Sequence, residues 1–198
     1  GEYWTAEVKK ALDLLVKAGI LVPVTHSSGN GLPLGDESDE SIRKILLLDT
    51  GLMLRLLNMT MGDTSAITAQ ILTATAADLV NKGPMAETLA GLELLHYLTP
   101  NLHHDLYYWV RQAKNSTAKI DYLLSRDMKV LPFEVKASVQ GGMKSLWDFM
   151  REKKLEQAVR CSLENFGKFD YVDAEAEGAV RHVEVYPLYA LSQFVMGG

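Results

Sequence analysis

Apolar residues recur at Val8, Ala11, Leu12 and Leu15 behind Thr5 and Glu7, the spacing of one helical face, and Gly19 supplies a stop. Ile20 to Thr25 then reads as a strand. A polar stretch, Ser27-Ser28-Gly29-Asn30-Gly31 with the acidic run Asp36 to Glu40, separates it from a second strand over Ile42 to Asp49, after which Thr50 to Asn58 returns to helical spacing. A helix, a strand, an exposed loop and another strand in this order resemble the last part of a winged-helix unit, with 27–40 as its wing. Residues 66–80, Ala/Thr-rich with Ile67, Ile71, Leu72 and Leu79, read as another helix closed by Asn81-Lys82-Gly83.

Pro84 opens the next helix. Met85, Leu89, Leu92 and His96 line one face, and Gly91, Leu94 and Leu98 lie near the opposite face with Glu87. A carboxylate on a helix apolar on two sides must be paired, protonated or metal-bound, which singles out Glu87 over Glu93. From Leu106 the period falls to two. Leu106–Arg111, Lys119–Leu124 and Val130–Ser138 form an antiparallel meander with short connections. Strict alternation puts Glu134, Lys136 and Ser138 opposite Leu131, Phe133 and Val135, and puts Asp121 with Lys119 and Leu123, opposite Ile120 and Tyr122. Strands at Ala158–Ser162, Phe169–Val172 and Val180–Tyr186 and a closing helix over Pro187–Val195 complete the chain.

Composition narrows the function classes. The chain has 198 residues, 47% hydrophobic and 23% charged, enough for a substantial core. No apolar run reaches the roughly 20 residues of a membrane-spanning helix, and Gly1-Glu2-Tyr3-Trp4 lacks signal-peptide character, so a cytoplasmic protein without membrane contact is expected, read as a piece of a longer one. Cys161 is the only cysteine, which excludes an internal disulfide and a cysteine-cluster metal site and suits a buried apolar position. A net charge of −5 opposes a surface coated for nucleic acid. The best local candidate for phosphate contact is Lys144, Arg151, Lys153 and Lys154, on a helix whose other side is Leu146, Phe149, Met150 and Leu155. His103-His104 and Tyr107-Tyr108-Trp109 have plainer readings, a loop and strand packing.

The candidate chemistry lies in Asp121 and, after twelve intervening residues, Glu134-Val135-Lys136. Phosphodiester hydrolysis needs hard oxygen ligands for Mg²⁺ or Mn²⁺, an activated water and positive charge near the transition state. Asp121, Glu134 and the Val135 carbonyl supply ligands, Lys136 orients the water or stabilises developing charge, and Glu87 can close the site from its helix. The ordinary alternative is an ion pair between neighbouring strands.

Asp121 with Glu134-Val135-Lys136, preceded by a helix bearing Glu87, resembles the PD-(D/E)XK nuclease superfamily. The resemblance is closer to the C-terminal domain of unknown function of prokaryotic AAA-type ATP-binding proteins, carried by Lys44-Ile45-Leu46-Leu47-Leu48-Asp49-Thr50-Gly51-Leu52, Asn81-Lys82-Gly83, Leu106-Tyr107-Tyr108-Trp109, Lys119-Ile120-Asp121-Tyr122-Leu123, Pro132-Phe133-Glu134-Val135-Lys136 and Pro187-Leu188-Tyr189-Ala190. It implies an N-terminal ATPase domain outside this chain, a winged-helix connection and a restriction-endonuclease-like end. The chain holds no Gly-x-x-x-x-Gly-Lys-Ser/Thr loop, so no ATP site is expected in it. The expected fold is therefore α/β, a restriction-endonuclease-like mixed sheet flanked by helices over residues 63–198, preceded by a winged-helix-like segment over 1–62. The expected function is divalent-metal-dependent cleavage of nucleic acid, its rivals a silent interaction or regulatory module of the ATPase and a non-cleaving DNA-binding module.

Overall fold

The computed structural model describes residues 6–56, 82–97, 105–113, 117–137 and 142–196. Helix α1 (Ala6–Lys17) ends at Gly19, whose φ of +69° lets Ile20 N donate to Leu15 O at 3.0 Å and Gly19 N to Val16 O at 2.9 Å, a glycine-dependent stop. Strand β1 (Leu21–Ser27) leads through a 3-10 turn (Leu34–Glu37) into β2 (Ser38–Leu47), so the acidic run is divided between that turn and the strand. Helices α2 (Thr50–Leu56) and α3 (Lys82–Tyr97) follow, α3 beginning two residues before Pro84. The helix expected over 66–80, together with His103 and His104, lies outside the described residues.

The meander is β3 (Leu106–Val110), β4 (Lys119–Arg126) and β5 (Lys129–Val135). Helix α4 (Lys144–Glu152), β6 (Gln157–Ser162), β7 (Gly167–Asp173), β8 (Ala179–Pro187) and α5 (Leu191–Met196) finish the chain. All eight strands join one mixed sheet in the order β2-β1-β3-β4-β5-β6-β8-β7. The β1–β2 hairpin is thus continuous with the meander: β1 runs parallel to β3, Val24 opposite Leu106. The pairings β5–β6 and β6–β8 are also parallel.

Each face of the sheet buries its own core. Val24, Leu46, Tyr122, Phe133 and Val159 pack with Ala86, Ala90 and Leu94 of α3 and Leu191 of α5. Trp109, Ile120, Leu123 and Val130 pack with Leu146, Phe149 and Met150 of α4. The buried stripe of α3 is Ala86, Ala90 and Leu94, not the Met85, Leu89, Leu92 and His96 series alone, because small residues let the helix approach the sheet closely. Gly91 makes the closest approach: a Cβ there would meet Leu46 Cδ1 at 2.7 Å and the Tyr122 hydroxyl closer still.

Ile120 and Tyr122 occupy opposite cores although strict alternation places them together. The cause is an irregularity in the β3–β4 ladder. Tyr107 is opposite Leu123 but Trp109 is opposite Ile120, so Asp121 and Tyr122 together face the single residue Tyr108. Such a bulge adds one residue and re-aims the side chains beside it.

Candidate functional site

The bulge positions Asp121. Backbone pairing of β4 with β5 runs from Arg126–Lys129 to Tyr122–Phe133. One step further the Asp121 carboxylate, rather than its backbone, takes the strand amide: Val135 N donates to Asp121 Oδ2 at 2.9 Å. The next amide, Lys136 N, turns to Cys161 O on β6 at 2.8 Å. The β5 strand therefore delivers Glu134 beside Asp121 at a point where its ladder passes from one neighbour to the other. On the same strand as Asp121, the Tyr122 hydroxyl donates to the Glu87 carbonyl at 2.7 Å and fixes that turn of α3 over β4.

Three lysines meet these three carboxylates. Lys136 Nζ lies 2.6 Å from Glu134 Oε1. Lys119 Nζ bridges Glu87 Oε2 at 2.7 Å and Asp121 Oδ1 at 3.0 Å. Lys44 Nζ, from β2, donates to Glu87 Oε1 and, at 2.6 Å, to the Asp121 carbonyl oxygen. The same ammonium stands over the rings of Tyr122, 4.2 Å from its centroid, and Tyr108, at 5.1 Å. Glu87, Asp121, Glu134 and Lys136, scattered in sequence, thus converge in one cluster, which Lys44 and Lys119 complete. The sequence gives neither of these two lysines a role in the site, although Lys44 heads the run Lys44–Leu52 and Lys119 the run Lys119–Leu123 that carry the family resemblance.

The electrostatics divide the carboxylates. Burial would raise Glu87, but Lys44 and Lys119 outweigh it and hold the group below its ordinary range. Asp121, 5% exposed, is pushed up by burial and then by Glu87, against Lys119 and the Val135 amide. Glu134, 4% exposed, is pushed up to about 7 by burial and by the neighbouring Asp121, with Lys136 opposing. Its Oε2 is buried and has no hydrogen-bond partner. A buried carboxylate oxygen without a donor is costly unless it is protonated or coordinated. Among the lysines, burial pulls Lys44 below its usual value despite Glu87, whereas Asp121 and Glu87 overcome burial and raise Lys119.

Among the described residues no group of three or more His, Cys, Asp and Glu is arranged as a metal cage. Mg²⁺ does not require one, because it keeps several waters and is commonly held by one or two carboxylates plus substrate phosphate oxygens. Asp121 and Glu134, with the Val135 carbonyl between Glu134 and Lys136, suit such a dyad, and the orphaned Glu134 Oε2 is the oxygen with a coordination place to fill. Glu87 has both oxygens engaged by lysine ammonium groups, whereas Asp121 has one on Lys119 and the other on the neutral Val135 amide, so Glu134 alone of the three carries an oxygen without a partner among the described residues.

The basic candidates on and after α4 are less available than their sequence suggests. Arg151 is held by the fully buried Asp173 at 3.0 Å and by Glu175 at 2.8 Å, and Lys153 by Glu152 at 3.0 Å and Asn30 at 2.7 Å. Lys144 and Lys154 are exposed. Tyr108 and Trp109 are buried in the two cores, and Cys161 is fully buried with its thiol pushed up by burial. No described helix is long and apolar enough to cross a membrane.

Fold and site define a mixed α/β domain with a buried carboxylate–lysine cluster where α3 meets β4 and β5. The chain belongs to the family described as Domain of unknown function (DUF4143), which matches residues 82–188, just over half of its length. No curated protein matches the chain, and no solved structure does. The matched span contains Glu87, Lys119, Asp121, Glu134 and Lys136; Lys44 lies before it.

Proposed function

We propose that this chain is the nuclease-like C-terminal part of a prokaryotic AAA-type ATP-binding protein, a restriction-endonuclease-like domain of the PD-(D/E)XK kind whose sheet takes in the β1–β2 hairpin of the winged-helix-like segment. Its activity is divalent-cation-dependent hydrolysis of a nucleic-acid phosphodiester. The observation that carries this reading is Glu134: a buried carboxylate with an unpartnered oxygen, beside a second carboxylate whose proton affinity is also raised. A purely structural ion pair has no use for that strain, whereas a cation site does.

Mg²⁺ or Mn²⁺ held by Asp121, Glu134 and the Val135 carbonyl would supply an acidified water and neutralise phosphate charge. The residues of the chain then have separable tasks. Asp121, fixed by the Val135 amide and Lys119, is a preoriented oxygen donor. Lys136 keeps Glu134 turned inward and places an ammonium where negative charge develops on the phosphorus oxygens as the P–O bond breaks. The nucleic acid and the ATPase domain are the partners, the latter delivering or opening the substrate, since the net charge of −5 gives this chain little reach toward a polyanion by itself.

One observation favours a second reading. Three lysines already match three carboxylates, and Lys119 bridges Glu87 and Asp121 as a built-in cation. A cluster closed in this way also suits a silent module that docks to or regulates the ATPase. Cleavage assays on single- and double-stranded DNA and RNA with Mn²⁺ separate the two. Cleavage by the native chain, lost in Asp121→Ala and Glu134→Ala, supports the nuclease; Mn²⁺ binding with no cut in any substrate, with the ATPase domain present, supports the silent module.

A further inference from the structure

Lys44 lies before the family-matched span, yet its side chain is the least exposed of the three lysines in the cluster. It sits on β2 opposite Val24 of β1, which is in turn opposite Leu106 of β3, so hairpin pairing sets its backbone. Its ammonium is surrounded by two oxygens, Glu87 Oε1 and the Asp121 carbonyl, and by the faces of Tyr108 and Tyr122. Oxygen acceptors with two aromatic faces form a site shaped for an ammonium group. With Lys119 on the other oxygen, Lys44 turns the Glu87 carboxylate wholly toward the lysines.

We propose that Lys44 is a positioning residue that keeps Glu87 from serving as a cation ligand, so that the β1–β2 hairpin sets how tightly the site holds a divalent ion. This rests on the reading that Asp121 and Glu134 take such an ion. With Lys44 in place the site is a two-carboxylate dyad, which binds weakly enough to share the ion with substrate oxygens. With Lys44 withdrawn, Glu87 keeps only Lys119 and one oxygen is released, giving a three-carboxylate site of greater negative charge. The hairpin is thereby a mechanical link between the segment before residue 82 and the site.

The test is a Mn²⁺ titration read by the loss of the free-ion paramagnetic resonance signal, on the full chain. Lys44→Met should bind Mn²⁺ roughly tenfold tighter than native, the size of effect usual for groups that orient metal ligands. Glu87→Gln alone should leave native affinity within about twofold, because Glu87 is not a ligand there, and the double variant should lose the gain of Lys44→Met. Lys44→Arg, which keeps the charge, should stay near native. A Lys44→Met affinity equal to native, a gain that survives Glu87→Gln, or a large loss from Glu87→Gln alone overturns the proposal; the last holds even if Lys44→Met fails to fold. A native chain indifferent to Mn²⁺ defeats the nuclease reading separately. In that case Glu87-dependent binding by Lys44→Met upholds the role of Lys44, and no binding by it overturns that role too.

Discussion

Glu134→Gln distinguishes a strained functional carboxylate from a structural ion pair, because the two predict opposite signs. In the folded chain the group is pushed from its ordinary 4.5 up to about 7, so the folded state binds the proton more tightly than the unfolded chain does. The stability this contributes is fully present below about pH 4.5 and is lost as pH rises through about 7. At pH 8 the folded protein therefore bears a cost of about 3 kcal/mol for keeping the carboxylate ionised, at about 1.4 kcal/mol per tenfold change in proton affinity. The side chain is only 6% exposed, so solvent screening removes little of this. Glutamine keeps an oxygen for Lys136 and removes the charge that Asp121 repels. Without metal, Glu134→Gln should be the more stable protein at pH 8 by about 2–3 kcal/mol, seen as a melting midpoint higher by roughly 5–10 °C for a chain of this size. At pH 5 the gap should nearly close, and the native decline in stability between pH 5 and 7 should be much shallower in the variant. Thermal and urea unfolding across pH 5–8 measure both. A loss of stability at pH 8, of the several kcal/mol expected when a buried ion pair loses one partner, would refute this reasoning.

Other consequences follow from single contacts. Gly91→Ala should cost about 1–3 kcal/mol by overpacking against Leu46 and Tyr122 and should weaken the hold on Glu87; urea unfolding equal to native would show that α3 can shift freely. Lys154→Glu should weaken nucleic-acid binding more than Lys153→Glu, since Lys153 is already paired with Glu152 and Asn30; salt-dependent binding isotherms that rank them the other way would misplace the contact surface. Cys161 should resist thiol reagents in the folded chain and react only on unfolding, and modification at the rate of a free thiol would contradict its burial.

That Glu87, Asp121, Glu134 and Lys136 meet was legible from two signals together: each interrupts an apolar face, a local property of helix or strand period, and their order resembles the PD-(D/E)XK signature. The meander was legible from its short connections. What escaped depends on non-local geometry. The β3–β4 bulge breaks the alternation that placed Ile120 with Tyr122, and no turn residue marks it. Parallel pairing of β1 with β3 joins segments some eighty residues apart and leaves no periodic trace, yet it incorporates the hairpin into the sheet. Lys44 meets Glu87 where Gly91 and the alanines of α3 let the helix press close to Leu46 and Tyr122, an approach between distant segments. Arg151 read as a free basic side chain because its buried acceptor, Asp173, lies at the far end of β7.

The most direct test of a cation site at Asp121 and Glu134 is the melting midpoint at pH 8 with and without Mn²⁺, in native protein, Asp121→Asn and Glu134→Gln. A site filled at a hundredfold excess over its dissociation constant adds about 2.7 kcal/mol to the folded state. The native chain should show a clear rise and neither variant any, the ion taking over the role that protonation or glutamine fills in its absence. A native midpoint unmoved by Mn²⁺, or one raised equally in all three proteins, would contradict such a site.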